Sequence, residues 1–519
     1  MSTTSRKLRF QFHTFLRHDL NASFTVFFVA LPLCLGVSLA SGAPVYSGIV
    51  AGILGGIVVS LLSKSPLSVS GPAAGLTTIC LAAIKDMHSL QLFFLSVAVA
   101  GLLQILLGVF KLGGFTHFIP TAVIRGMLAA IGIILISKQV PFLIGYNKPD
   151  FWRNELFNIL TFNHGFEHIT DLYNNLSWGA VIVAIAALGI TGLWQQYAGK
   201  KLSFLPAVFI TVVSGTLVAF LLQEFTPSLA LHADQYVNVP LRIVDEIQLP
   251  LWKQFFSSAL IWKYAVMICL VASLETLLSI EAVDKLDPLN RLTPQNRELI
   301  AQGTGNILSG FLGGLPITAV IVRSAANVSA GARTNMSAIA HGFWLLLSIL
   351  FAAKYINWIP YSVLAVILIR TGYNLAKPAL FKAVYKQGRE QFLPFIITVL
   401  AILFTDLLIG VGIGVAYSLY FLVKHTYRAG YTIDEKVEGH NKYFRIELAM
   451  NVSFLNKKRF VEVLDKIPAY SIVEIIGTDS VYIDHDILEI FHEFKSKAHH
   501  KHIQLVMKDI PDIIPAGGH

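Results

Sequence analysis

The stretch Leu315 to Val328, LPITAVIVRSAANV, decides the fold of this 519-residue chain. It is apolar, but it is shorter than the roughly 20 residues that a helix needs to cross a bilayer. Pro316 suits the first turn of a helix, because proline lacks only an N–H that would have no partner there. The stretch therefore predicts a half-helix over 316–328 that begins inside the membrane and points its positive N-terminus at something anionic.

Arg323 and Ser324 lie within this stretch. An arginine at membrane depth costs roughly 2.5–3.5 kcal/mol even on lenient insertion scales, so it should face a cavity or a partner. The alternative is one full helix broken at Pro316, with Arg323 snorkelling to the interface. A second stretch, SVSGPAAGLTTICLAAI over 68–84, also opens a short apolar helix, at Pro72. Two short segments opened by Gly or Pro, in matching positions of two halves, indicate a transporter binding site.

The composition is that of an integral membrane protein. The chain is 55% hydrophobic and 14% charged, whereas soluble domains average about 25% charged residues. Its apolar runs approach about 20 residues, which favours helices over a β-barrel. Cys34, Cys80 and Cys269 lie in apolar runs without CxxC spacing, so we expect buried thiols and neither a disulfide nor a metal site. The net charge of +9 is explained by cytoplasmic loops rather than by nucleic acid.

The hydrophobic runs predict fourteen membrane segments in two halves of seven. The first half comprises 22–41, 45–62, the half-helix 72–84, 91–110, 118–137, 178–197 and 204–222. The second half comprises 256–281, 296–313, the half-helix 316–328, 337–353, 360–375, 392–408 and 409–425. Both halves place the short helix third, which is the expected signature of an inverted repeat.

The distribution of basic residues predicts that both termini are cytoplasmic. The inward connections hold many cations: Lys64, Lys111, Lys200, Lys201, Lys285, Arg291, Arg297 and Arg333, then Arg370, Lys377, Lys382, Lys386 and Arg389. The two long outward loops are acidic: Asp150, Glu155, Glu167 and Asp171 in the first, and Glu224, Asp234, Asp245 and Glu246 in the second. The basic N-terminal segment has no small-residue cleavage site, so a cleaved signal peptide is not expected.

The composition changes near residue 430. The segments that follow alternate between strand and helix patterns: strands in KYFRIELAMNVSFLN, AYSIVEIIGTD and HIQLVMKDI, helices in NKKRFVEVLDKI and IDHDILEIFHEFKSKA. We expect a cytoplasmic segment over 1–20, a transmembrane domain over 21–428 and a small α/β domain over 429–519. His499, His500 and His502 are interpreted as a solvated helix end rather than a metal tract.

Glu275 lies inside the otherwise apolar VASLETLLSIEAVD. An intramembrane carboxylate is a functional candidate by default, and Glu275 is expected to change its protonation during transport. The alternative is a structural role, as a partner for Arg323 or for backbone N–H groups. Ser279 follows at i+4 on the same helix face and offers a hydroxyl to a coupling ion. The sequence contains no Walker loop, HExxH or GxSxG motif, so neither an enzyme nor a bound cofactor is expected.

Several of these segments together resemble one family. They are ALPLCLGVSLASGAP, SVSGPAAGLTT and LETLLSIEAVDKLDP, followed by NRELIAQGTGNILSGFLGGLP and VRSAANVSAGART. In this order and spacing they resemble the SulP anion transporters, the sulfate permease group, over residues 15–430. The tail resembles a STAS domain, with GTDSVYID as its clearest part.

The resemblance implies fourteen segments in two inverted repeats, with a core domain that holds the anion and moves against a gate domain. The gate commonly forms a homodimer together with STAS contacts. The anion is then expected between the half-helix N-termini, at Ala73, Ala74, Gly75 and Leu76 on one side and Ile321, Val322, Arg323 and Ser324 on the other. Glu275 matches the acidic position that is linked to cation coupling in bacterial members.

Two departures from the family refine these expectations. Sodium-coupled bicarbonate members place a threonine hydroxyl where this chain has Ile321, which favours a proton over sodium as the coupling ion. The STAS domain is short, ending at IPAGGH, which puts regulation through it in doubt.

The leading expectation is a proton-coupled, elevator-type transporter of the inner membrane, with sulfate first and bicarbonate second as substrate. Small dicarboxylates are a further candidate class of substrate. Three rival classes are a nucleobase permease of similar fold, a passive anion channel and a membrane scaffold that signals through its STAS domain.

Overall fold

The computed structural model describes residues 18–114, 119–145, 176–198, 205–240, 250, 258–405, 407–428, 430–438 and 441–511. The chain forms two compact units, one of Met1–Gly388 with Phe395–Gly412 and one of Arg389–Pro394 with Ile413–His519. Some residues named above lie outside the described ones: Asp150, Glu155, Glu167, Asp171, Lys200, Lys201, Asp245, Glu246 and the final IPAGGH. The predicted domain limits at 20 and 428 stay a prediction.

In the described residues, fourteen helices follow one another in the predicted order. The first seven are α1 Leu20–Ala40, α2 Val45–Leu62, α3 Thr77–Met87, α4 Leu90–Val109, α5 Thr121–Leu143, α6 Trp178–Tyr197 and α7 Ala207–Phe225. The second seven are α8 Ala259–Asp284, α9 Gln295–Phe311, α10 Ile321–Ser329, α11 Met336–Phe351, α12 Tyr361–Leu375, α13 Arg389–Phe404 and α14 Leu407–Arg428. Within this part of the chain, eight helices are long and apolar enough to cross a membrane. Short helices at Ala353–Ile356 and Pro378–Lys386 flank α12.

The α-helical part of each half-helix begins five residues later than the sequence predicts. Residues Ser70–Pro72 form strand β1 and Ile317–Ala319 form strand β2. A 3₁₀ turn follows β1 at Ala74–Leu76, and the α-helices start at Thr77 and Ile321. The prediction that Pro316 occupies the first turn of a helix is therefore wrong. Proline fixes φ at a value that extended backbone also tolerates, so a proline does not by itself distinguish the start of a helix from an extended segment.

Strands β1 and β2 pair antiparallel, with Ser70 opposite Ala319, Gly71 opposite Thr318 and Pro72 opposite Ile317. Both strands are buried. Non-helical backbone is tolerated at membrane depth only where protein covers it and its polar groups find partners. Two corresponding segments of an inverted repeat meet here, and α3 and α10 both start from this two-stranded crossing.

Two pairs of glycines set close backbone contacts between helices. We call α1–α4 with α8–α11 the core bundle, and α5–α7 with α12 the gate bundle. In the core bundle, a Cβ added at Gly101 or at Gly303 would lie 2.5 Å from the other residue's carbonyl oxygen. In the gate bundle, a Cβ added at Gly132 would lie 2.5 Å from the Gly372 carbonyl oxygen, and a Cβ added at Gly372 would lie 2.6 Å from the Gly132 carbonyl oxygen. Backbone-to-backbone contact of this kind requires glycine on both helices.

We expect Gly303→Leu to prevent correct assembly of the core bundle. Overpacking a core costs about 1–3 kcal/mol and occasionally more, and here the obstacle is a backbone carbonyl that no side-chain rotation removes. Size-exclusion chromatography and thermal unfolding of the purified protein measure this. Gly189→Leu is the matched control, because Gly189 on α6 has open space around it. Similar stability of the two variants would contradict the assigned packing of α4 against α9.

The second unit contains a small α/β domain. Its sheet has the order β3 Tyr431–Glu438, β4 Asn441–Leu448, β6 Ile472–Ile476 and β8 Gln504–Lys508, antiparallel only between β3 and β4. A short parallel pair, β5 Asn451–Val452 and β7 Tyr482–Ile483, lies apart from this sheet. Helices α15 Lys457–Lys466 and α16 His485–His500 pack on the sheet through a shared core that includes Phe444, Ile446, Phe460, Val473 and Phe491.

The sequence predicted β4, β6, β8 and both helices of this domain, but not β3. Thr432 through Val437 are exposed one after another. A strand without a buried stripe gives no period-two hydrophobic signal. His499 and His500 end α16 with exposed side chains, as their interpretation as a solvated helix end expects.

Candidate functional site

Polar side chains of the core bundle hold β2 in place. Asn306 Oδ1 accepts from the N–H of Ile317 at 2.6 Å, and Asn306 Nδ2 donates to the Ile317 carbonyl at 3.1 Å and to Gln104 Oε1 at 2.6 Å. Thr276 Oγ1 accepts from the N–H of Ala319 at 3.2 Å. An unsatisfied backbone group costs several kcal/mol in the bilayer core. These contacts therefore keep extended backbone stable at membrane depth.

A second set of polar side chains holds the segment around β1 in place. Ser324 Oγ accepts from the N–H of Val69 at 2.9 Å and donates to the Val320 carbonyl at 2.8 Å. Gln302 Nε2 donates to Ser70 Oγ at 2.7 Å. The sequence reasoning did not single out Gln302 or Asn306. Their spacing at i and i+4 in the buried face of α9 is the signal that would have found them.

We expect Asn306→Ala to destabilise the protein by about 2–4 kcal/mol, because it leaves both polar backbone groups of Ile317 without their side-chain partner. Thermal unfolding in detergent measures the change. Thr304→Ala is the control on the same helix, since Thr304 Oγ1 bonds only the Ile300 carbonyl one turn back. Equal unfolding temperatures for the two variants would show that the strand does not depend on Asn306.

A cavity of about 60 Å³ opens beside the crossing. The core bundle contributes residues of α1, α8 and both half-helix starts, and the gate bundle contributes residues of α5 and α12. Leu33, Val37, Leu128, Ile131 and Leu375 make much of its wall apolar. Thr371 is the gate residue with a hydroxyl among those that line it. The cavity thus lies between the two bundles, where the half-helices start.

The structure brings most of the predicted site residues to this cavity. Ala74, Gly75, Ile321, Val322, Arg323, Glu275 and Ser279 line it. Ala73 and Leu76 are buried but are not among the lining residues. Ser324 is also buried away from the cavity, and its hydroxyl ties α10 to the segment before β1. Of the predicted hydroxyls, only that of Ser279 therefore belongs to the cavity wall.

Arg323 is fully buried. Its Nη2 donates to the Pro72 carbonyl at 3.4 Å, whereas Nε and Nη1 have no hydrogen-bond partner in the described residues. A side chain at Gly71 would overlap Nη1, so glycine there lets the guanidinium reach β1. Within the described chain no carboxylate forms a salt bridge with Arg323. A buried cation without a counter-charge is costly, so this site favours an anion.

Glu275 faces the start of α3 from the opposite helix, α8. Its carboxylate packs closely against Gly75, and Oε2 has no hydrogen-bond partner in the described residues. A Cβ at Gly75 would lie 2.7 Å from Oε2, so this approach also requires glycine. Of the two structural partners that the sequence left open for Glu275, Arg323 forms no salt bridge with it in the described residues.

The arrangement suits a small anion. Two half-helices begin at one cavity, and their unpaired N–H groups and dipoles both favour negative charge. Arg323 adds a full positive charge, while Glu275 is the one carboxylate among the lining residues. The apolar wall offers little to a large polar ligand. The site can therefore hold a small charged solute and change its own charge through one carboxyl group.

Comparison with known proteins gives a consistent result. Residues 16–398 match the sulfate permease family. A putative sulfate transporter of Bacillus subtilis is 26% identical over 407 residues, covering 78% of this chain and 73% of that protein. A bicarbonate transporter of Picosynechococcus is 27% identical over 414 residues, covering 77% and 69%. The fold is similar to that of the murine solute carrier 26 family member A9, with a TM-score of 0.72, 13% identity and coverage of 95% and 85%.

Proposed function

The chain belongs to the sulfate permease family, and on that premise we propose that it is a secondary active transporter of sulfate, coupled to protons. The family consists of transporters rather than enzymes, and its relatives named above carry small inorganic anions. Bicarbonate is the alternative substrate, because one relative is a bicarbonate transporter.

Arg323 carries the proposal. It is fully buried at the start of α10, lines the cavity, and has two nitrogens without partners and no carboxylate in a salt bridge with it in the described residues. A transported anion would supply the missing counter-charge. The N–H groups of the half-helices would bind the same ion, with Ala74 and Gly75 on one side and Ile321 and Val322 on the other.

Glu275 and Ser279 form the coupling-ion site in this proposal. Sodium needs several oxygen ligands, and Ile321 offers no side-chain oxygen, so the proton is the preferred ion. The core bundle would carry the anion past the gate bundle in an elevator-like motion.

We propose a homodimer in the inner membrane with both termini cytoplasmic. The sequence supports the orientation through its inward-facing cations.

Uptake into proteoliposomes tests the function. Labelled sulfate and labelled bicarbonate would each be offered with an inward proton gradient, an inward sodium gradient, or neither. We expect the proton gradient to drive sulfate accumulation. Sodium-driven bicarbonate uptake would overturn the substrate and the coupling ion. Equal flux with and without both gradients would indicate a passive channel, and no flux of either anion would contradict the transport function.

A further inference from the structure

Arg370 is a second arginine within a membrane segment, and the proposed transport cycle does not use it. It lies five residues before the end of α12, and its side chain is half-buried. It is not among the residues that line the cavity. No carboxylate forms a salt bridge with it in the described residues. A cation at this depth needs an anionic partner or a route to the interface.

The face of α12 that carries Arg370 is polar toward the end of the helix. Tyr373 and Asn374 follow Arg370 at i+3 and i+4, so the three side chains share one face. Tyr373 is 53% exposed and Asn374 is exposed as well. Thr371 and Leu375, four residues apart, line the cavity from another face. Arg370 therefore points away from the transport site.

The short helix Pro378–Lys386 continues this basic region. Val384 is buried and Leu380, four residues before it, is half-buried, so one face of the helix is apolar and packed. Lys382 and Lys386 are also four residues apart, and both are exposed. A helix that is apolar on one face and rich in lysine on the other is typical of the membrane interface.

The charge of this region is unbalanced. From Tyr361 to Arg389 the sequence contains five basic residues and no acidic one. Lys377, which follows α12 two residues after its end, is exposed. Like Lys382 and Lys386, it forms no salt bridge in the part of the chain that the structure describes. The surface thus complements an anionic partner, and the cytoplasmic leaflet of a membrane offers one.

We propose that Arg370, Lys377, Lys382 and Lys386 bind the phosphate of an anionic phospholipid at this end of the gate bundle. We call these four residues the lipid face. The phosphate would supply the counter-charge that Arg370 lacks, and the exposed ring of Tyr373 suits the headgroup level. The bound lipid would hold the gate bundle at the membrane surface while the core bundle moves. This goes beyond the proposed transport function and shares only its orientation.

Native mass spectrometry of the full-length protein, titrated with phosphatidylglycerol or with phosphatidylcholine, tests the lipid face. We expect the wild type to bind phosphatidylglycerol more tightly. One cation near an anionic lipid surface contributes roughly fivefold in affinity. The double variant Arg370→Gln/Lys377→Gln should therefore bind phosphatidylglycerol about 25-fold more weakly, while its affinity for phosphatidylcholine stays the same.

The matched control is Lys263→Gln/Lys354→Gln. It also removes two exposed cations, one from α8 and one from the short helix that precedes α12, and it should keep the wild-type affinity. Thermal unfolding in nanodiscs shows that each variant is folded and gives a second measurement. Because a ligand of the folded state raises its stability, phosphatidylglycerol should raise the unfolding temperature of the wild type and of the control, but not that of Arg370→Gln/Lys377→Gln.

Selective loss of phosphatidylglycerol binding in Arg370→Gln/Lys377→Gln supports the lipid face. Wild-type affinity in that folded variant overturns it, and so does a wild type that does not prefer phosphatidylglycerol. Dissociation of a dimer in the variant, with lipid affinity unchanged, would assign this surface to a second copy of the chain. None of these readouts involves sulfate or a proton gradient, so failure of the lipid face leaves the transport function standing.

Discussion

Replacing Arg323 by glutamine should reduce anion uptake by at least about 30-fold while leaving the protein folded. Removing one partner from a buried charge interaction costs about 2–5 kcal/mol, and about 1.4 kcal/mol corresponds to a tenfold change. The loss should appear in both binding and transport, because Arg323 is the positive charge at the start of α10. Initial rates of labelled-anion uptake into proteoliposomes, normalised to inserted protein, measure it.

Two further variants make this result specific. Arg125→Gln is the matched control, because Arg125 is on α5 and donates to Gln387 in an exposed contact; its uptake should stay near wild type. Arg323→Lys keeps the charge but loses the planar group that reaches the Pro72 carbonyl, so we expect an intermediate loss. Uptake by Arg323→Gln at the level of Arg125→Gln would mean that the anion does not depend on Arg323.

Glu275→Gln should abolish concentrative uptake but leave exchange of anion across the membrane. The amide cannot ionise, so a proton gradient has no group through which to act on the cycle, whereas Arg323 and the half-helix N–H groups remain. The measurement compares accumulation under an inward proton gradient with one-for-one exchange of labelled for unlabelled anion. We expect accumulation to fall to the level measured without a gradient, and we expect exchange to persist.

The control for this prediction is Glu281→Gln, which should accumulate anion as the wild type does. Proton-driven accumulation by Glu275→Gln at the wild-type level would show that the coupling proton binds elsewhere. Loss of both activities in a folded Glu275→Gln protein would mean that the carboxyl group is needed for anion binding itself.

The sequence predicted the helical order because that order depends on long apolar runs. All fourteen segments are found, and the short helix is third in each half. The family resemblance is confirmed by the match over residues 16–398. The strands at Ser70–Pro72 and Ile317–Ala319 were missed, since three buried residues are too few to show a periodicity that separates strand from helix. Only the pairing between two segments some 250 residues apart in sequence creates them.

The sequence analysis named several of the residues that line the cavity, but it did not predict their contacts. Glu275 and Arg323 stood out because charges are rare in apolar runs, and the structure places both at one cavity. That the Glu275 carboxylate packs against Gly75, while Arg323 turns toward Pro72, depends on how α8 and β1 pack and is not encoded in residue type. The bonds of the Ser324 hydroxyl to Val69 and Val320 were also not predicted, and the expectation that Ser324 lies at the anion stays a prediction.

The position of a bound anion decides whether Arg323 and the two half-helices form the transport site. Selenate has the charge and shape of sulfate and scatters anomalously, so crystals of the full-length protein grown with selenate in acidic buffer would locate it. We expect an anomalous peak in the cavity between the turn that precedes α3 and the first turn of α10, beside Gly75 and Val322 and close to Arg323. A selenate peak elsewhere in the membrane region, with this cavity empty, would contradict it.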